Sequence, residues 1–353
     1  MKFLLSPIAI IYTLIVLVRN KLFDLRVFTS VEYDFPLIAV GNLRVGGTGK
    51  TPMIGYLLRM LHANTETAVL SRGYGRKSKG FLLANDNSSA EQIGDEPLLI
   101  KSTFPSVNVA VDEKRVRGVE KLRRLQNEPE VILLDDAMQH RSIRPGLLIL
   151  LTAYNKLFLD DFPLPAGRLR EPKSAANRAD VIVVTKCPTS LSIEERNTLE
   201  TRIKTVSNKP VFFAYESYNS LRPLTEGLKE VSLTDLSHYS VVLFSGLADP
   251  SNLLNWVRES AENVNHIEFN DHHWFSETDF ERIKSVFEKT TSEKKLVLTT
   301  QKDAIRISKL LQNKKFADLP IYVIEHEMSI FKEGQVPFEK KINDFIRSYS
   351  TNA

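Results

Sequence analysis

The sequence contains one cysteine, Cys187, in 353 residues, which excludes an internal disulfide framework and leaves too few thiols for a structural zinc site. A lone thiol agrees with a reducing compartment. Internal repeats and low-complexity tracts are absent, so repeat architectures are excluded. A strong charge of one sign is lacking too. The 47 Lys and Arg against 43 Asp and Glu leave a formal charge of +4, too little by itself to argue for nucleic acid. An anionic small molecule or an anionic membrane face stays open as a partner.

What is present is ordinary globular material, 42% hydrophobic and 25% charged, in a chain long enough for two cored domains. It is organised around G-N-L-R-V-G-G-T-G-K-T at Gly41 to Thr51, between the apolar run Leu37 to Val40 and the helix-like Pro52 to Leu58. A strand, a glycine loop and a helix in that order suit phosphate binding. Glycines let backbone N–H groups turn inward, the helix N-terminus adds positive potential, and a lysine supplies a point charge. The candidate nucleotide loop is Arg44, Val45, Gly46, Gly47, Thr48, Gly49, Lys50 and Thr51, with Lys50 toward the outer phosphates of ATP and Thr51 toward Mg²⁺. The usual spacing has glycine where Arg44 stands, and the Gly46-Gly47 pair can make the missing turn. The alternative is a glycine-rich turn that binds nothing, against which the Lys-Thr pair speaks.

Phe3 to Val18 is almost wholly apolar and is followed by Arg19, Lys21 and Arg26. As a helix it reaches about 24 Å, short of the ~30 Å hydrocarbon core. No small-x-small cleavage site follows, which argues against a removed signal peptide. We expect a helix over residues 1–20 dipped into or laid against the inner leaflet, its basic residues on anionic headgroups. The alternative is an apolar helix packed on the protein's own sheet.

From Leu37 to about Lys209 short β-branched runs alternate with helical stretches, the pattern of a parallel sheet covered on both faces. Ser192 and Glu195 form a capping box ahead of one such helix. The alternation lapses around Tyr215 to Ser232 and resumes at Val241 to Phe244. The expected organisation is therefore a P-loop NTPase-like α/β domain over residues 21–215 and a smaller α/β domain over 216–353.

Leu133-Leu134-Asp135-Asp136 reads either as a Walker-B strand end that meets the phosphate loop and its metal, or as a turn. Asp95, in G-D-E-P, either caps a helix or takes a proton from an attacking hydroxyl. Asp271-His272-His273 is open between a metal site, a turn and one member of a catalytic pair. Two basic loops, Ser71 to Lys77 with Arg72, Tyr74 and Arg76, and Gly167 to Pro172 with Arg168 and Arg170, are either solvated or grip phosphate.

Together these pieces resemble the tetraacyldisaccharide 4′-kinase family, the lipid A 4′-kinases of Gram-negative bacteria. The resemblance rests on the apolar N-terminus, G-N-L-x-V-G-G-T-G-K-T-P, S-R-G-Y-G-R, G-D-E-P, L-D-D-A-M-Q-H, L-P-A-G-R-L-R-E-P, D-H-H, and T-x-K-D at Thr300 to Asp303, in order along most of the chain. It implies transfer of the ATP γ-phosphate to the 4′-hydroxyl of a tetraacylated disaccharide 1-phosphate, giving lipid IVA at the cytoplasmic face of the inner membrane. It implies Asp95 as base, paired with His272 of the second domain on domain closure, and Mg²⁺ held by Thr51 with Asp135 or Asp136. Arg168 and Arg170 would stabilise the transferred group, Glu171 would lie near the metal, and Arg72, Tyr74, Arg76, Gln139 and His140 near the substrate. The implied partners are the lipid A disaccharide 1-phosphate and inner-membrane lipid, with no nucleic acid and no obligate protein partner. A membrane-associated ATPase switch is the rival reading. It has no evident need of G-D-E-P or D-H-H, and a soluble sugar kinase leaves Phe3 to Val18 unused.

Overall fold

The structure, a computed structural model, describes residues 2–225, 227–271, 273–307, 310–312 and 318–350. It divides into two compact units, Met1–Glu216 with Met328–Ala353, and Ser217–Glu327. In chain order the first unit has α1 (Lys2–Asp24), β1 (Leu37–Asn42), α2 (Lys50–Leu61), β2 (Thr67–Ser71), β3 (Leu82–Leu83), α3 (Ala90–Ile93), α4 (Asp95–Thr103), β4 (Asn108–Val111), α5 (Arg115–Leu122), β5 (Val131–Asp135), β6 (Leu147–Ala153), β7 (Val181–Thr185) and α6 (Ile193–Lys204). The chain leaves this unit within β8 (Val211–Pro223). The second unit has β9 (Ser240–Ser245), α7 (Ser251–Ser260), β10 (Asn263–Glu268), α8 (Glu277–Lys289), β11 (Lys295–Thr300) and α9 (Gln301–Ile307). The chain returns within β12 (Ile321–Ile330) and forms α10 (Lys332–Ser350).

In the first unit the strand order is β8-β7-β6-β1-β5-β2-β4-β3, with β3 antiparallel to β4 and the other described pairings parallel. Both faces are covered, as continuous apolar strands require. Strand alternation sends Leu37 and Ala39 of β1 into one core, with Val119 and Leu122 of α5 and Ile203 of α6. Ile38 and Val40 enter the other, with Met53, Ile54 and Leu57 of α2 and Phe338 and Ile342 of α10. The capping box of α6 forms as expected, Ser192 N donating to Glu195 Oε2 at 2.8 Å and Glu195 N to Ser192 Oγ at 3.2 Å. The second unit repeats the scheme with parallel strands in the order β10-β9-β11-β12. Val242 and Phe244 pack with Phe280 and Ile283 of α8, and Val241 and Leu243 with Leu253 and Val257 of α7.

Three elements differ from expectation. Residues 328–353, expected in the second domain, belong to the first unit, where Phe338 of α10 packs edge-on to Tyr56 of α2 and Tyr56 Oη donates to Glu339 at 2.7 Å. A chain that returns to an earlier unit leaves no mark in its local pattern. β8 runs through the stretch where alternation lapses, because its polar side chains find partners beside β12: Ser220 Oγ donates to Glu325 Oε2 at 2.8 Å. The N-terminal helix has 23 residues, about 35 Å, and runs to Asp24 rather than ending at residue 20. Its added turns are polar, and their side chains bond to the body of the unit.

Along α1, Ala9, Val16 and Asn20 are buried in one narrow stripe, while Ile8, Ile10, Ile11, Leu14, Ile15 and Val18 are each more than half exposed. A helix packed on its own sheet would bury those side chains, so that alternative is set aside. Leu5–Asp24 is long and apolar enough to cross a membrane by length and composition, with 11% of the scored window buried. Moving the exposed side chains from water into hydrocarbon is worth on the order of 10 kcal/mol. Ile11→Asp with Ile15→Asp should therefore release the chain from anionic vesicles in a flotation assay and shift the unfolding midpoint by less than about 2 °C, since neither side chain packs in a core. Retention on the vesicles would show that α1 is not the anchor.

Candidate active site

The adjacency of β1, β5 and β2 brings the loops after their carboxyl ends side by side, the edge at which open α/β sheets collect ligands. Val40 is level with Asp135 across β1 and β5. After β1 the chain forms the glycine loop, with Gly46 at φ 113° and Gly49 at φ 85°, conformations that side chains with a Cβ rarely adopt. Asn42 Nδ2 donates to Thr48 Oγ1 at 2.6 Å and Thr185 Oγ1 donates to Thr48 O at 2.8 Å, so the loop is held from both sides. α2 starts at Lys50 and points its N-terminal amides at the same place. The G-D-E-P segment is pressed against the loop after β2: Gly94 has φ 91°, and a Cβ there would lie 3.0 Å from Tyr74 O. Asp95 is buried as the first residue of α4, and its Oδ1 accepts from Glu96 N at 2.9 Å.

The two adjacent carboxylates at the end of β5 have opposite environments. Asp136, in the left-handed region at φ 48°, receives Arg170 in a two-pronged contact, Nη2–Oδ1 at 2.8 Å and Nη1–Oδ2 at 3.1 Å, with Lys50 Nζ 3.9 Å from Oδ1. Burial alone would raise its pKa, but Lys50 and Arg170 outweigh that and hold it at about 2. Asp135 is fully enclosed. Its Oδ2 accepts from Ser71 Oγ at 2.9 Å and its Oδ1 has no hydrogen-bond partner. Burial, then the Glu96 carboxylate, push it up to about 6 against the pull of Lys50. A buried carboxylate oxygen with nothing to accept from is costly unless a cation shares it.

Such an arrangement, a glycine loop with its lysine beside a lone buried carboxylate, fits a nucleotide and a divalent cation. Among the described residues no three His, Cys, Asp or Glu side chains gather as a metal cage, so a cation here would be shared with phosphate oxygens.

Comparison with known proteins decides the family. Residues 1–347 match the family model described as tetraacyldisaccharide-1-P 4′-kinase. The chain belongs to this family. It is 40% identical to the tetraacyldisaccharide 4′-kinase of Bacteroides thetaiotaomicron, over 99% of this chain and 94% of that one. Against the enzyme of the same name from Flavobacterium psychrophilum it is 42% identical, over 99% and 98%. A crystal structure of LpxK from Aquifex aeolicus, described as the "apo" form in complex with ATP at 2.2 Å resolution, superposes with a TM-score of 0.73 at 31% identity, covering 98% of this chain and 99% of that one.

Within this family frame, Gly46 to Thr51, Asp95, Asp135, Asp136, Gln139, His140, Arg72 and Arg170 all lie at the carboxyl edge of the first unit's sheet. His140 is half-buried, and burial, then Arg115 and Arg72, bring its pKa down to about 4, leaving it neutral at pH 7. Gln139 Nε2 donates to Asn42 O at 3.0 Å. Arg168 and Tyr74 are exposed.

Several expected site residues have protein partners. Arg44 is ion-paired with Asp161 at 2.7 Å, and Val45 N donates to Arg168 O at 2.8 Å, so both touch the 161–171 loop. Glu171 is buried, with Arg178 bonded to both oxygens (2.7 and 2.8 Å) and Asn20 of α1 at 2.8 Å, which fills its acceptor sites with protein donors. Arg76 Nη2 donates to Glu113 Oε2 at 2.6 Å and to Gly80 O at 2.8 Å, while its buried Nη1 has no hydrogen-bond partner among the described residues. His272 lies outside the described residues. Its neighbour His273 bonds to Asp279 at 3.0 Å and stacks on Phe269. Asp303 of the T-x-K-D motif is a buried anchor, accepting from Gly246 N at 3.0 Å and Thr300 Oγ1 at 2.8 Å, with Arg306 at 3.0 Å.

Three residues were missed. Asn42 sits inside a quoted motif, yet nothing in its spacing says that Thr48, Gln139 and Arg170 converge on it. Arg115 is buried with Nη2 3.1 Å from Asp135 O, and its place just after β4 at the active edge was the available signal. Glu96, adjacent to Asp95, presses on Asp135.

Asp135 supplies a pH prediction. Its folded pKa exceeds its unfolded value, so its contribution to stability is full below about 4 and is lost as pH rises through about 6, where the buried group is forced to ionise. Asp135→Asn should raise the unfolding free energy at pH 8 by on the order of 1–2 kcal/mol, and leave it little changed at pH 4. In the unaltered chain, Mg²⁺-dependent nucleotide affinity should fall about tenfold per pH unit below pH 6, because cation and proton compete for one oxygen. Titration calorimetry between pH 5 and 8 measures this. A flat profile would remove Asp135 from the cation site.

Proposed function

We propose that this chain is the lipid kinase that transfers the ATP γ-phosphate to the 4′-hydroxyl of a tetraacylated glucosamine disaccharide 1-phosphate, forming lipid IVA in lipid A synthesis. The observation that carries the reading is the single carboxyl-edge cluster of Lys50, Asp135, Asp136 and Arg170 in a chain that belongs to this family. The acceptor is a four-chain lipid, and α1 brings the enzyme to it at the cytoplasmic face of the inner membrane.

Phosphoryl transfer asks a protein mainly for positioning and charge neutralisation. The amides of Gly46 to Lys50 hold the β- and γ-phosphates, and the Lys50 ammonium follows the charge that moves outward from the γ-phosphorus. Thr51 and Asp135 would hold Mg²⁺, which would supply charge neutralisation to the phosphates. Asp136 stays ionised and fixes Lys50 and Arg170. The exposed Arg168 grips an anionic group of the nucleotide or the acceptor, and Arg72, Tyr74, Gln139 and neutral His140 line the acceptor side. Asp95 orients the 4′-hydroxyl and takes its proton late in the transfer. The loose transition state acidifies the hydroxyl as it bonds to phosphorus, so the carboxylate need only accept the proton late.

The test is transfer of labelled γ-phosphate to the tetraacyl disaccharide 1-phosphate in detergent micelles. The unaltered chain should label the lipid. Asp95→Ala should lower kcat by at least about 100-fold with little change in ATP affinity. Label released only as inorganic phosphate would leave a membrane-associated ATPase in its place.

A further inference from the structure

We propose that α1 positions the active site as well as anchoring the chain, with Tyr12, Arg19 and Asn20 holding two active-site segments in place. The activity arm of the test rests on the kinase reading; the structural arm does not.

The buried stripe of α1 ends in polar contacts, and each goes to a segment whose next contact is inside the site. Tyr12 Oη donates to Arg170 O at 2.8 Å, and the Arg170 guanidinium is the group that pins Asp136 and bonds to Asn42. Arg19 Nη2 donates to Gln139 O at 2.9 Å, and Gln139 Nε2 donates to Asn42 O at 3.0 Å. Asn20 is buried and donates from Nδ2 to Glu171 Oε2 at 2.8 Å, and its backbone carbonyl accepts from Arg141 Nη1 at 2.7 Å. Arg141 Nη2 also bonds to Asp24 at 2.7 Å.

A simple tether needs none of this. A hydrophobic anchor works through a flexible linker as well as through a rigid joint, and its polar side would face water or headgroups. Here the polar side chains are bonded to residues 139, 141, 170 and 171. Among the described side chains of α1, Ala9 and Val16 are the buried apolar ones, so their apolar contact with the rest of the unit is small. With so little apolar packing, the docked orientation of α1 in water depends on these hydrogen bonds. Insertion of its opposite face into lipid restrains the helix further, and that restraint passes through Tyr12, Arg19 and Asn20 to Arg170 and Gln139. The free energy of lipid binding is thereby coupled to order in the phosphate site, by contacts present in one arrangement and absent in the other.

The test uses the full chain with phosphatidylglycerol vesicles and the variants Tyr12→Phe, Asn20→Ala and both together, which leave the exposed apolar face untouched. Tyr12→Phe removes one hydroxyl and keeps the ring, so it remains informative if Asn20→Ala folds poorly. Vesicle binding should be unchanged, KM for ATP and lipid should stay within about twofold, and kcat should fall about 5- to 30-fold in the double variant and by a lesser factor in Tyr12→Phe. Amide hydrogen exchange supplies the second readout. In the unaltered chain, residues 136–142 and 168–172 should exchange more slowly once vesicles bind, and this slowing should be lost in the double variant. An unchanged kcat in the variants, or exchange in these segments that ignores vesicles, would overturn the proposal. The exchange arm needs no acceptor lipid, so it stands if the unaltered chain fails to label the disaccharide, a result that would count against the kinase reading instead.

Discussion

The joint on which the site depends is the guanidinium of Arg170. It bonds Asp136 with two nitrogens and reaches Asn42 at the end of β1, so one planar cation ties together the strand ahead of the glycine loop, the strand that ends in the paired carboxylates, and the loop at residues 161–171. Arginine alone among side chains offers this fork of donors with a charge that is never lost. Its backbone is fixed in turn, Arg170 N donating to Leu43 O at 2.7 Å. With Asp136 neutralised in this way, Lys50 keeps its ammonium available to phosphate instead of collapsing fully onto the carboxylate.

Asp135 is the converse case. It has one hydroxyl donor and one vacant oxygen in an enclosed position, with a second carboxylate, Glu96, pressing on it. A fold selected for stability alone would place an amide or a hydrophobe there. In the proposed role of cation ligand, its burial cost would be offset when a divalent ion binds with phosphate. Neighbouring residues of one type thus take different roles because one is paired by protein and the other is left for a ligand.

The N-terminal helix divides its labour by face. One side is apolar and exposed, the other is narrow, partly polar and bonded to the loops of the site. An enzyme whose acceptor stays in a bilayer must meet it at a defined height and orientation. On the proposal made above, the hydrogen bonds from α1 to residues 139, 141, 170 and 171 would supply that, where a flexible tether would supply proximity only.

Much was legible in the sequence because it depends on local order. The strand, glycine loop and helix at Leu37 to Leu58, the apolar strand ending in Asp135-Asp136, the capping box at Ser192 and the parallel α/β alternation all rest on residues close in sequence, whose geometry follows from backbone and side-chain preferences alone. Partner choice was not legible. Nothing near Arg44, Arg76 or Glu171 says that Asp161, Glu113 and Asn20 will claim them, since those partners lie 37 to 151 residues away and arrive only when the sheet is assembled. For the same reason the return of α10 to the first unit, the hub at Asn42 and the division of roles between Asp135 and Asp136 were decided by tertiary structure. Sequence determined which groups the chain can bring to a phosphate. Packing decided which of them remain unpaired to receive it.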